Sequence, residues 1–587
     1  MRLLSTVAAA ALALGGIAQA QGDIGGLAGQ VFTFGDSLAD DGSPSVSPYP
    51  SGRFSNGPVA AEFLPGLLGA QVGVNVARGG ATSAEILDQT RAFVAGGGMM
   101  GVNDYAYLWG HGPNDYFRAV PLALASPNPS AVIEAAVRNV QTNIFQSAAT
   151  LDAAGAERFV FATLPDFGQL PLYNGNPFAA RAASGVSAAH NGALVQTAGA
   201  MAPFGEIVLV DAAGLFDAVV ADPGSFGFTN VTQAIIPSSP GCNANPAAPP
   251  SSSLFWDCVH PTTFAHGLIA AATADAILAP RLVGASLEAE TARARSFGEG
   301  MLSFGSGGEP TIGSFGAFDL YATGRAFSFD RDSTATAAGF DTTGGQVGVT
   351  FVDDGLPTVF GGSVVIESAD TSSHTQDTDS LALRFGAFFT SDAALGGFTL
   401  QNAGAISGGV VGYDTTRNPG VGGRTVSGDT VGTTIAVDVE SRLAFAAGSG
   451  FSIGPVVKLG YAFAEADGYS ETGIGGIART YDQIDSETAY GAVGGFAGFT
   501  AGQIEGMASI LYEETISSDG TVTSRAATLP GFFTTSDTMA ERDGAVIVEG
   551  QVAFLAAGGV SFGADVIGAF GDGRSDTSVG LSLDVSF

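Results

Sequence analysis

The pattern of hydrophobic positions changes near residue 300 and divides the chain into two halves. From residue 30 to about 278, short apolar runs alternate with longer stretches of helical period. The apolar runs lie at 31–34, 72–76, 105–109, 159–163 and 207–210, and the helical stretches at 58–68, 84–94, 130–154 and 177–201, with Asn56 and Pro58 at a helix start. This alternation predicts a parallel sheet with helices on both faces. Ligand sites of such sheets lie at the carboxyl ends of the strands.

After about residue 310 the helical period disappears, and apolar and polar residues alternate with period two. One face of the run at 381–389 holds Leu381, Leu383, Phe385 and Phe389, and the other holds Arg384 and Gly386. The runs at 453–463 and 546–554 repeat the pattern, with Lys458, Glu549 and Gln551 on the polar face. About twelve such runs follow one another, each long enough for a tilted strand to cross a bilayer.

Two kinds of β structure fit this alternation. A secreted β-sandwich would also alternate, but its outer face would be richer in charge than the polar face here. An even number of strands is typical of bacterial outer-membrane barrels, which must close because lipid leaves no partner for an open edge. Apolar and polar residues alternate up to the last residue, the aromatic Phe587. A terminal strand that ends in Phe resembles the signature by which outer-membrane barrels are recognised for assembly. The pattern therefore favours a transmembrane barrel of twelve strands over the sandwich.

The segment between the halves is charged. Pro280 is expected to stop the last helix of the first half, and residues 286–297 form a short helical pattern that contains Glu288, Glu290, Arg293 and Arg295. Such a helix would suit the wet lumen of a barrel. An ordinary solvated linker with charge pairs along one face is the alternative.

The N-terminus has the features of an export signal. Met1 and Arg2 are followed by an apolar stretch at 3–17 and by an A-x-A site at 18–20, which predicts cleavage before Gln21. A buried first helix is the alternative interpretation. Export agrees with the two cysteines, Cys242 and Cys258, because a close pair outside the cytoplasm is usually a disulfide. Their spacing does not suggest a metal site.

The amino-acid composition excludes one class of protein and argues against another. The chain has 45% hydrophobic and only 13% charged residues, which excludes a disordered acidic protein. A net charge of −34 argues against nucleic-acid binding, which needs basic surfaces to displace counterions from phosphates. The mean hydropathy is +0.29, yet no segment after the signal offers the roughly 18 or more uninterrupted apolar residues of a spanning helix, so the high hydropathy suggests strands.

Candidate chemistry lies in four short blocks, of which the first and last hold a nucleophile and a base. Ser37 follows the first strand in the segment 34–38, where its hydroxyl can project from the sheet. Asp257 precedes His260 by three residues, so one turn can hold an imidazole and the carboxylate that orients it. Alone, Ser37 could be a helix cap, and Asp257 and His260 could be a cap and a surface residue. No G-x-S-x-G elbow surrounds Ser37, which argues against the α/β-hydrolase arrangement.

The two middle blocks contain hydrogen-bond donors. Residues 75–82 include Gly79 and Gly80 and follow the second strand, while residues 109–115 include Asn114 and follow the third. A glycine N–H beside an asparagine amide can stabilise the negative charge of a tetrahedral intermediate. Either block alone is a common loop sequence.

The four blocks together, in this order, resemble the GDSL or SGNH hydrolases over about residues 30–280. With the barrel, the resemblance extends to GDSL autotransporter esterases. It implies a three-layer, flavodoxin-like α/β passenger followed by an all-β twelve-stranded transmembrane barrel. The implied segments are a signal peptide (1–20), the passenger (21–280), a helical linker through the barrel (281–310) and the barrel (311–587).

Site roles follow from the same resemblance. Ser37 would be the nucleophile, His260 the general base and then acid, and Asp257 the residue that orients it. The backbone N–H groups of Ser37 and Gly80 and the side chain of Asn114 would form the oxyanion hole. His111 departs from the pattern, since a small residue is expected there, and the disulfide would anchor the loop that carries the base.

The resemblance implies a serine ester hydrolase in the outer membrane of a Gram-negative bacterium, with the passenger exposed at the cell surface. Such an enzyme would act on an acyl ester or lipid and would contact outer-membrane lipid and the barrel-assembly machinery, and no motif in the sequence implies a metal or cofactor. Esterase, lipase, lysophospholipase and acyltransferase chemistry all remain open, as does release of the passenger. A non-catalytic surface adhesin on the same scaffold is the alternative from another class.

Two groups of residues are left with less specific expectations. The apolar residues Phe167, Leu170, Leu172, Tyr173 and Phe178 could line an acyl site or could be ordinary packing. Of the remaining histidines, His190 and His266 are expected on solvent-facing helix positions and His374 in a barrel loop.

Overall fold

The structure, a computed structural model, describes residues 27–42, 47–305, 314–315, 318–353, 358–539, 544–556 and 560–585. The predicted signal peptide at 1–20 and the terminal Phe587 lie outside the described residues. We refer to residues 27–262 as the α/β domain, to Thr263–Gly305 as the central helix and to residues 314–585 as the barrel domain.

The α/β domain is built on a parallel sheet of five strands in the order β2-β1-β3-β4-β5. The strands are β1 (Gln30–Gly35), β2 (Gln71–Asn75), β3 (Tyr105–Trp109), β4 (Arg158–Ala162) and β5 (Glu206–Val210). The helices are α1 (Ala60–Leu67), α2 (Ser83–Ala95), α3 (Pro113–Ala125), α4 (Pro129–Asp152), α5 (Pro177–Met201) and α6 (Ala212–Ala221). The short strands β6 (Asn230–Ala234) and β7 (Ser253–Phe255) form a separate pair, and single turns of 3-10 helix lie at Phe167–Gln169, Ala202–Phe204, Pro223–Phe226 and Pro250–Ser252.

The strand order is that of the flavodoxin-like class, so the predicted passenger fold is confirmed. Apolar side chains pack on both faces of the sheet: Phe34 and Phe159 belong to one core, Tyr107 and Val160 to the other. The five predicted strands and four predicted helices all occur, displaced by two residues at most. Helices α3 and α6 were not predicted.

The barrel domain contains, within the described residues, twelve long antiparallel strands that close on themselves. They are β9 (Phe318–Arg331), β10 (Phe340–Asp353), β11 (Thr358–Ser373), β12 (Gln376–Leu395), β13 (Phe398–Arg417), β14 (Val426–Gly448), β15 (Phe451–Ala466), β17 (Arg479–Ala501), β18 (Ile504–Ala526), β20 (Ala545–Ala556), β21 (Val560–Gly571) and β22 (Arg574–Val585). The short strands β8 (Ser314–Phe315), β16 (Tyr469–Ser470) and β19 (Thr534–Asp537) pair at the ends. Strand β22 pairs with β9, which confirms the predicted closure.

The barrel has its apolar side chains on the outside and its polar side chains on the inside, the reverse of a soluble protein. Leu383 and Phe385 point outward and are 50% and 54% exposed, while Arg384 between them is 1% exposed in the interior. Lys458 and Glu549 likewise lie inside, where they form an ion pair. An apolar exterior around a polar lumen is the arrangement that lipid requires.

The central helix runs without interruption for 43 residues, so the prediction that Pro280 stops it is wrong. Proline removes one helical hydrogen bond, at a cost of about 3 kcal/mol. Burial on both sides outweighs that cost, since Ile277, Ala279 and Leu282 are at most 1% exposed. The most apolar part of this helix is long enough to cross a membrane, but 89% of that window is buried inside the protein.

The second half of the central helix lies inside the barrel, packed against β10 to β15, β17 and β18. Glu290 is fully buried there and pairs with Arg293 on the same helix and with Arg384 of the wall at 2.6 Å. Arg384 also pairs with Glu367 at 2.7 Å. These charged residues therefore face a polar lumen and not bulk solvent.

The α/β domain rests on one end of the barrel. Thr534 and Ser536 of β19 donate to the Ile207 carbonyl and to Glu206 at the start of β5. Arg417 at the barrel rim pairs with Asp275 of the central helix and with Glu471. The amino end of β5 and the central helix are thereby fixed relative to the barrel domain.

Candidate active site

Ser37 lies two residues after the end of β1, next to the point where the order of the strands in the sheet reverses, between β1 and β3. Open α/β sheets form their binding crevice at such a point. The turn is held by Gln89, whose side-chain amide donates to the Gly35 carbonyl and accepts from the Gly35 N–H, both at 2.9 Å. A side chain at position 35 would collide with the Trp109 carbonyl at 2.4 Å, so β3 packs closely here only against glycine.

A continuous chain of hydrogen bonds joins the first and fourth sequence blocks. The Ser37 Oγ lies 2.8 Å from His260 Nε2. The other ring nitrogen, Nδ1, lies 2.8 Å from Asp257 Oδ2 and 2.9 Å from Oδ1. The structure thus brings together three residues that are up to 223 positions apart in sequence. The residues predicted as nucleophile, base and orienting carboxylate therefore lie in the geometry that a catalytic triad requires.

Asp257 has further donors that keep it ionised. Its Oδ1 accepts from the backbone N–H groups of Val259 and His260 at 2.9 and 2.8 Å, and its Oδ2 accepts from the Tyr49 hydroxyl at 2.5 Å. Burial raises the pKa of this carboxyl, but hydrogen bonds from His260 and Tyr49 outweigh burial and hold the pKa below its usual value. The carboxylate is therefore charged when it orients the imidazole.

Two connections hold the loop that carries His260 against the rest of the domain. Ser55 donates to the Pro261 carbonyl at 2.9 Å, and the Asn56 side chain accepts from the Thr263 N–H at 2.8 Å. Asn56 thus caps the central helix and not α1, whose N-cap is Val59. The Phe54 ring lies 5.3 Å from the His260 ring and covers one of its faces.

The predicted oxyanion donors differ in whether their hydrogens are available. Gly80 adopts a φ of +78°, which favours glycine, and among the described residues we find no protein acceptor for the backbone N–H of Gly80 or Ser37. The Asn114 amide donates to Asp36 Oδ2 at 3.1 Å and to the Ala81 carbonyl at 3.0 Å. Both of its hydrogens are therefore already engaged.

Asp36 links the nucleophile turn to the third block. Burial raises the pKa of this carboxyl to about 7, against the smaller opposing effect of the Leu38 N–H, which donates to it at 2.9 Å. Gly110, with a φ of +82°, packs so closely that a side chain there would overlap the Asp36 carboxyl. Asp36 thus fixes the position of Asn114 beside Ser37.

An apolar cavity of about 140 Å³ opens beside Ser37 and His260. Its wall contains side chains from four strands, α3 to α6 and the central helix, among them Phe161, Phe167, Leu170, Leu194, Leu215, Phe228, Phe255 and Leu268. Phe167 and Leu170, two of the apolar residues considered for an acyl site, are in this wall. Leu172, Tyr173 and Phe178 are not, and Phe178 is 84% exposed.

Two family models match the chain in agreement with this geometry. The model for GDSL-like lipase/acylhydrolase matches residues 31–273, and the model for the autotransporter beta-domain matches residues 317–567. The chain is a GDSL-type autotransporter. It is accordingly an enzyme that acts on ester bonds, and its barrel is an outer-membrane domain.

Known proteins are moderately similar to this GDSL-type autotransporter over different shares of its length. Esterase EstA of Pseudomonas aeruginosa is 26% identical over 526 residues, which cover 76% of this chain and 78% of that protein. Phosphatidylcholine-sterol acyltransferase of Aeromonas hydrophila is 28% identical over 304 residues, which cover 41% of this chain and 87% of that protein. Among solved structures, the translocator domain of the autotransporter NalP from Neisseria meningitidis covers 52% of this chain and 98% of its own, with a TM-score of 0.42 and 12% identity.

Several residues of the GDSL-type site were not found by sequence reasoning. Tyr49 donates to Asp257, and Gln89 pairs with Gly35 in the turn before Ser37. Asp40 accepts from the Gly79 N–H at 2.7 Å and so holds the second block in place. Tyr49 lies in a loop and Gln89 on a helix, and neither belongs to a recognisable motif. Within the described part of the chain, no group of three or more potential ligands is arranged to bind a metal ion.

The prediction that His190 and His266 face solvent is wrong. Each is 1% exposed, and burial lowers the pKa of each to about 3. His190 can be buried in the core because the Tyr116 hydroxyl forms a hydrogen bond with its Nδ1 at 2.8 Å. His266 can be buried because its Nδ1 accepts from the Ala60 N–H at 3.3 Å. Polar partners supplied by distant elements thus permit burial. His374 lies in the turn between β11 and β12 with a φ of 48°, in agreement with a barrel-loop position.

Cys242 and Cys258 form a disulfide, with Cα atoms 5.7 Å apart, directly beside Asp257. Reduction is expected to lower turnover of the GDSL-type autotransporter, because the loop that carries Asp257 and His260 loses its covalent anchor. Closing a loop of this length stabilises by roughly 3 kcal/mol in the chain-entropy model. The measurement is ester hydrolysis before and after reductant, with free thiols quantified.

A double replacement, Cys242→Ser with Cys258→Ser, is the matched control. Its turnover should equal that of the reduced wild type and should not respond to reductant. Full activity in the wild type with both thiols free would contradict the prediction.

Proposed function

We propose that the chain is a cell-surface serine ester hydrolase that works through an acyl-enzyme intermediate, anchored in the outer membrane by its barrel. The observation that carries this proposal is the hydrogen-bonded series Asp257, His260 and Ser37 at the mouth of an apolar cavity. Such a cavity suits the acyl part of an ester, while the triad faces its carbonyl carbon.

In the first half-reaction, Ser37 Oγ attacks the carbonyl carbon of the ester as His260 Nε2 removes the hydroxyl proton. Asp257 remains ionised and stabilises the imidazolium that forms. Collapse of the tetrahedral intermediate breaks the bond to the alcohol, which leaves with the proton from His260. Water then attacks the acyl-serine with His260 as base, and the carboxylic acid is released.

The negative oxygen of the tetrahedral intermediate would accept from the N–H groups of Ser37 and Gly80. Asn114 can contribute a third donor only if its amide turns from Asp36 or from the Ala81 carbonyl as the oxyanion forms. Since one oxyanion donor is worth roughly 10²- to 10³-fold in kcat, this contribution can be measured.

Replacing Asn114 with alanine is therefore expected to lower kcat by roughly 10²-fold, with little change in KM. The reason is that the lost donor acts on the transition state and not on bound substrate. Steady-state hydrolysis of a medium-chain p-nitrophenyl ester gives both constants.

Ser83→Ala serves as the control for a merely structural effect, because Ser83 donates to Asp115 in the same block but lies outside the triad. If Asn114 only braces Asp36, the Asn114 and Ser83 variants should lose similar, small amounts of activity. That result would remove Asn114 from the oxyanion hole.

Surface display and the substrate are part of the proposal. The outward apolar face of the barrel would contact outer-membrane lipid. Insertion of the barrel would require the barrel-assembly machinery. EstA is named an esterase and the Aeromonas protein an acyltransferase that uses phosphatidylcholine, so an acyl ester or lipid is the expected substrate. Water or a second alcohol could accept the acyl group at the same acyl-serine.

A membrane-impermeant fluorophosphonate applied to intact cells tests the nucleophile and the location together. The reagent bonds to an activated serine Oγ with loss of fluoride, so labelled protein should yield a single modified peptide that contains Ser37. Added protease should remove the labelled domain without lysis.

Labelling only after lysis would exclude surface display but leave the nucleophile intact. Intact-cell labelling of a different serine would exclude Ser37. An absence of labelling with a correctly inserted barrel would favour the non-catalytic adhesin.

A further inference from the structure

Two loops at the rim of the barrel pack against α6 of the α/β domain. We call residues 471–478, which precede β17, and residues 527–533, which precede β19, the rim loops. The Ala527 N–H donates to the Ala478 carbonyl at 2.8 Å, so the rim loops are joined to each other. The side chain of Ile474 in the first loop is buried in the apolar core of the α/β domain. Part of the barrel domain therefore belongs to that core.

The first rim loop touches α6 through its backbone. Gly476 has a φ of +77°, and a Cβ there would lie 2.3 Å from the Leu215 nitrogen and 2.7 Å from the Asp211 carbonyl oxygen. A Cβ at Gly475 would lie 3.7 Å from the Ala218 Cβ. The loop thus lies directly on the first two turns of α6, and at position 476 only glycine leaves enough space for this approach.

The second rim loop is bonded to the start of α6. Asp211 is the N-cap of this helix, and its Oδ1 accepts from the Gly214 N–H at 3.0 Å and from the Thr163 hydroxyl at 3.1 Å. The other carboxylate oxygen, Oδ2, accepts from the Thr528 hydroxyl of the second loop. Thr163 lies in the wall of the apolar cavity. The side chain that begins α6 is therefore held by one residue of the cavity and by one residue of the barrel domain.

The other side of α6 forms part of the cavity wall. Four of its side chains line the cavity: Ala212, Leu215, Phe216 and Val219. With 3.6 residues per turn, these positions lie largely opposite Gly214 and Ala218, against which the first loop packs. Among the helices and strands, α6 packs mainly on the central helix and on the turn at Pro223–Phe226. The rim loops therefore support α6 from outside, while its inner side limits the width of the cavity.

We propose that the rim loops are specificity-determining segments of the enzyme, because they hold α6 in the position that decides which acyl chain fits the cavity. This inference rests on the proposed ester hydrolysis, since it assigns the acyl part of the substrate to the cavity. One methylene in an apolar pocket changes kcat/KM by roughly 10- to 200-fold, so a small displacement of α6 is enough to alter the preference. The barrel is then part of the enzyme and not only its anchor.

The test measures kcat/KM of the full-length protein in detergent for p-nitrophenyl butyrate and p-nitrophenyl decanoate. In Gly476→Ala the added Cβ should press α6 towards the cavity, and the decanoate-to-butyrate ratio should fall about tenfold, because the longer chain needs the lost space. Thr528→Val keeps the shape of the side chain but removes the hydrogen bond to Asp211, and it should change the ratio by about threefold or more. The ratio of two substrates in one sample does not depend on the fraction folded.

Gly502→Ala is the matched control for backbone strain. Gly502 has a similar φ of +67°, but it lies in the turn between β17 and β18 at the opposite end of the barrel, and a Cβ there would meet no described atom within 4 Å. The same substitution without contact to α6 should leave the ratio unchanged.

An unchanged ratio in Gly476→Ala, or a fall of the same size in Gly502→Ala, would overturn the inference. If the Gly476 variant does not insert, an unchanged ratio in Thr528→Val would overturn it. A wild type that hydrolyses neither ester would instead overturn the proposed function.

Discussion

Ser37→Ala is expected to reduce ester hydrolysis by roughly 10⁴-fold or more in kcat, the largest effect of any single change. In the proposed mechanism the Ser37 hydroxyl forms the acyl bond, and no other side chain of the described site can replace it at 2.8 Å from His260 Nε2. Substrate binding should persist, because the apolar cavity is intact. The measurement is hydrolysis of medium-chain p-nitrophenyl esters by intact cells that display either form, with protease accessibility checked for both.

Ser184→Ala is a suitable control, since this serine lies on α5, away from the triad. Its activity should match the wild type at equal display. Hydrolysis that survives in Ser37→Ala at the wild-type rate would mean that another residue is the nucleophile.

Asp257→Asn should lower kcat by roughly 10³- to 10⁴-fold while the protein still folds and inserts. The neutral amide keeps the size of the side chain but cannot stabilise the imidazolium, and it favours the wrong tautomer of His260. The loss should be expressed in kcat and in kcat/KM alike, because the interaction matters in the transition state. Steady-state kinetics of the purified full-length protein provide both values.

Asp222→Asn removes the same charge at an exposed position of the α/β domain and is the control for net charge. It should leave both constants unchanged. A loss of less than about tenfold in Asp257→Asn would indicate that His260 is oriented mainly by its other contacts.

Most helices and strands of the fold could be predicted from local patterns in the sequence. Strand β3 is a five-residue apolar run that is buried throughout, and α5 begins and ends at the predicted residues. The barrel was readable because lipid imposes strict alternation, as Arg384 between Leu383 and Phe385 illustrates. These signals depend only on neighbours in sequence, which is why one chain sufficed to find them.

Other features depended on partners far away in sequence. The central helix passes through Pro280 because surrounding domains bury both sides of it, which overrides the local helix-breaking tendency. His190 and His266 have sequence neighbours typical of exposed helices, yet Tyr116 and the Ala60 N–H make their burial possible. A local sequence pattern contains no information about a hydrogen bond to a distant helix or strand.

The two-part architecture and the candidates Ser37, Asp257 and His260 could be inferred from the chain alone, because motif order and periodicity are local properties. The folded structure was needed to show that Tyr49 supports Asp257, that Gln89 fixes the turn before Ser37, and that the Asn114 hydrogens are already engaged. It also placed His111 in the wall of the apolar cavity. Distances between residues that are remote in the chain arise from packing, and packing decides which polar atoms have partners.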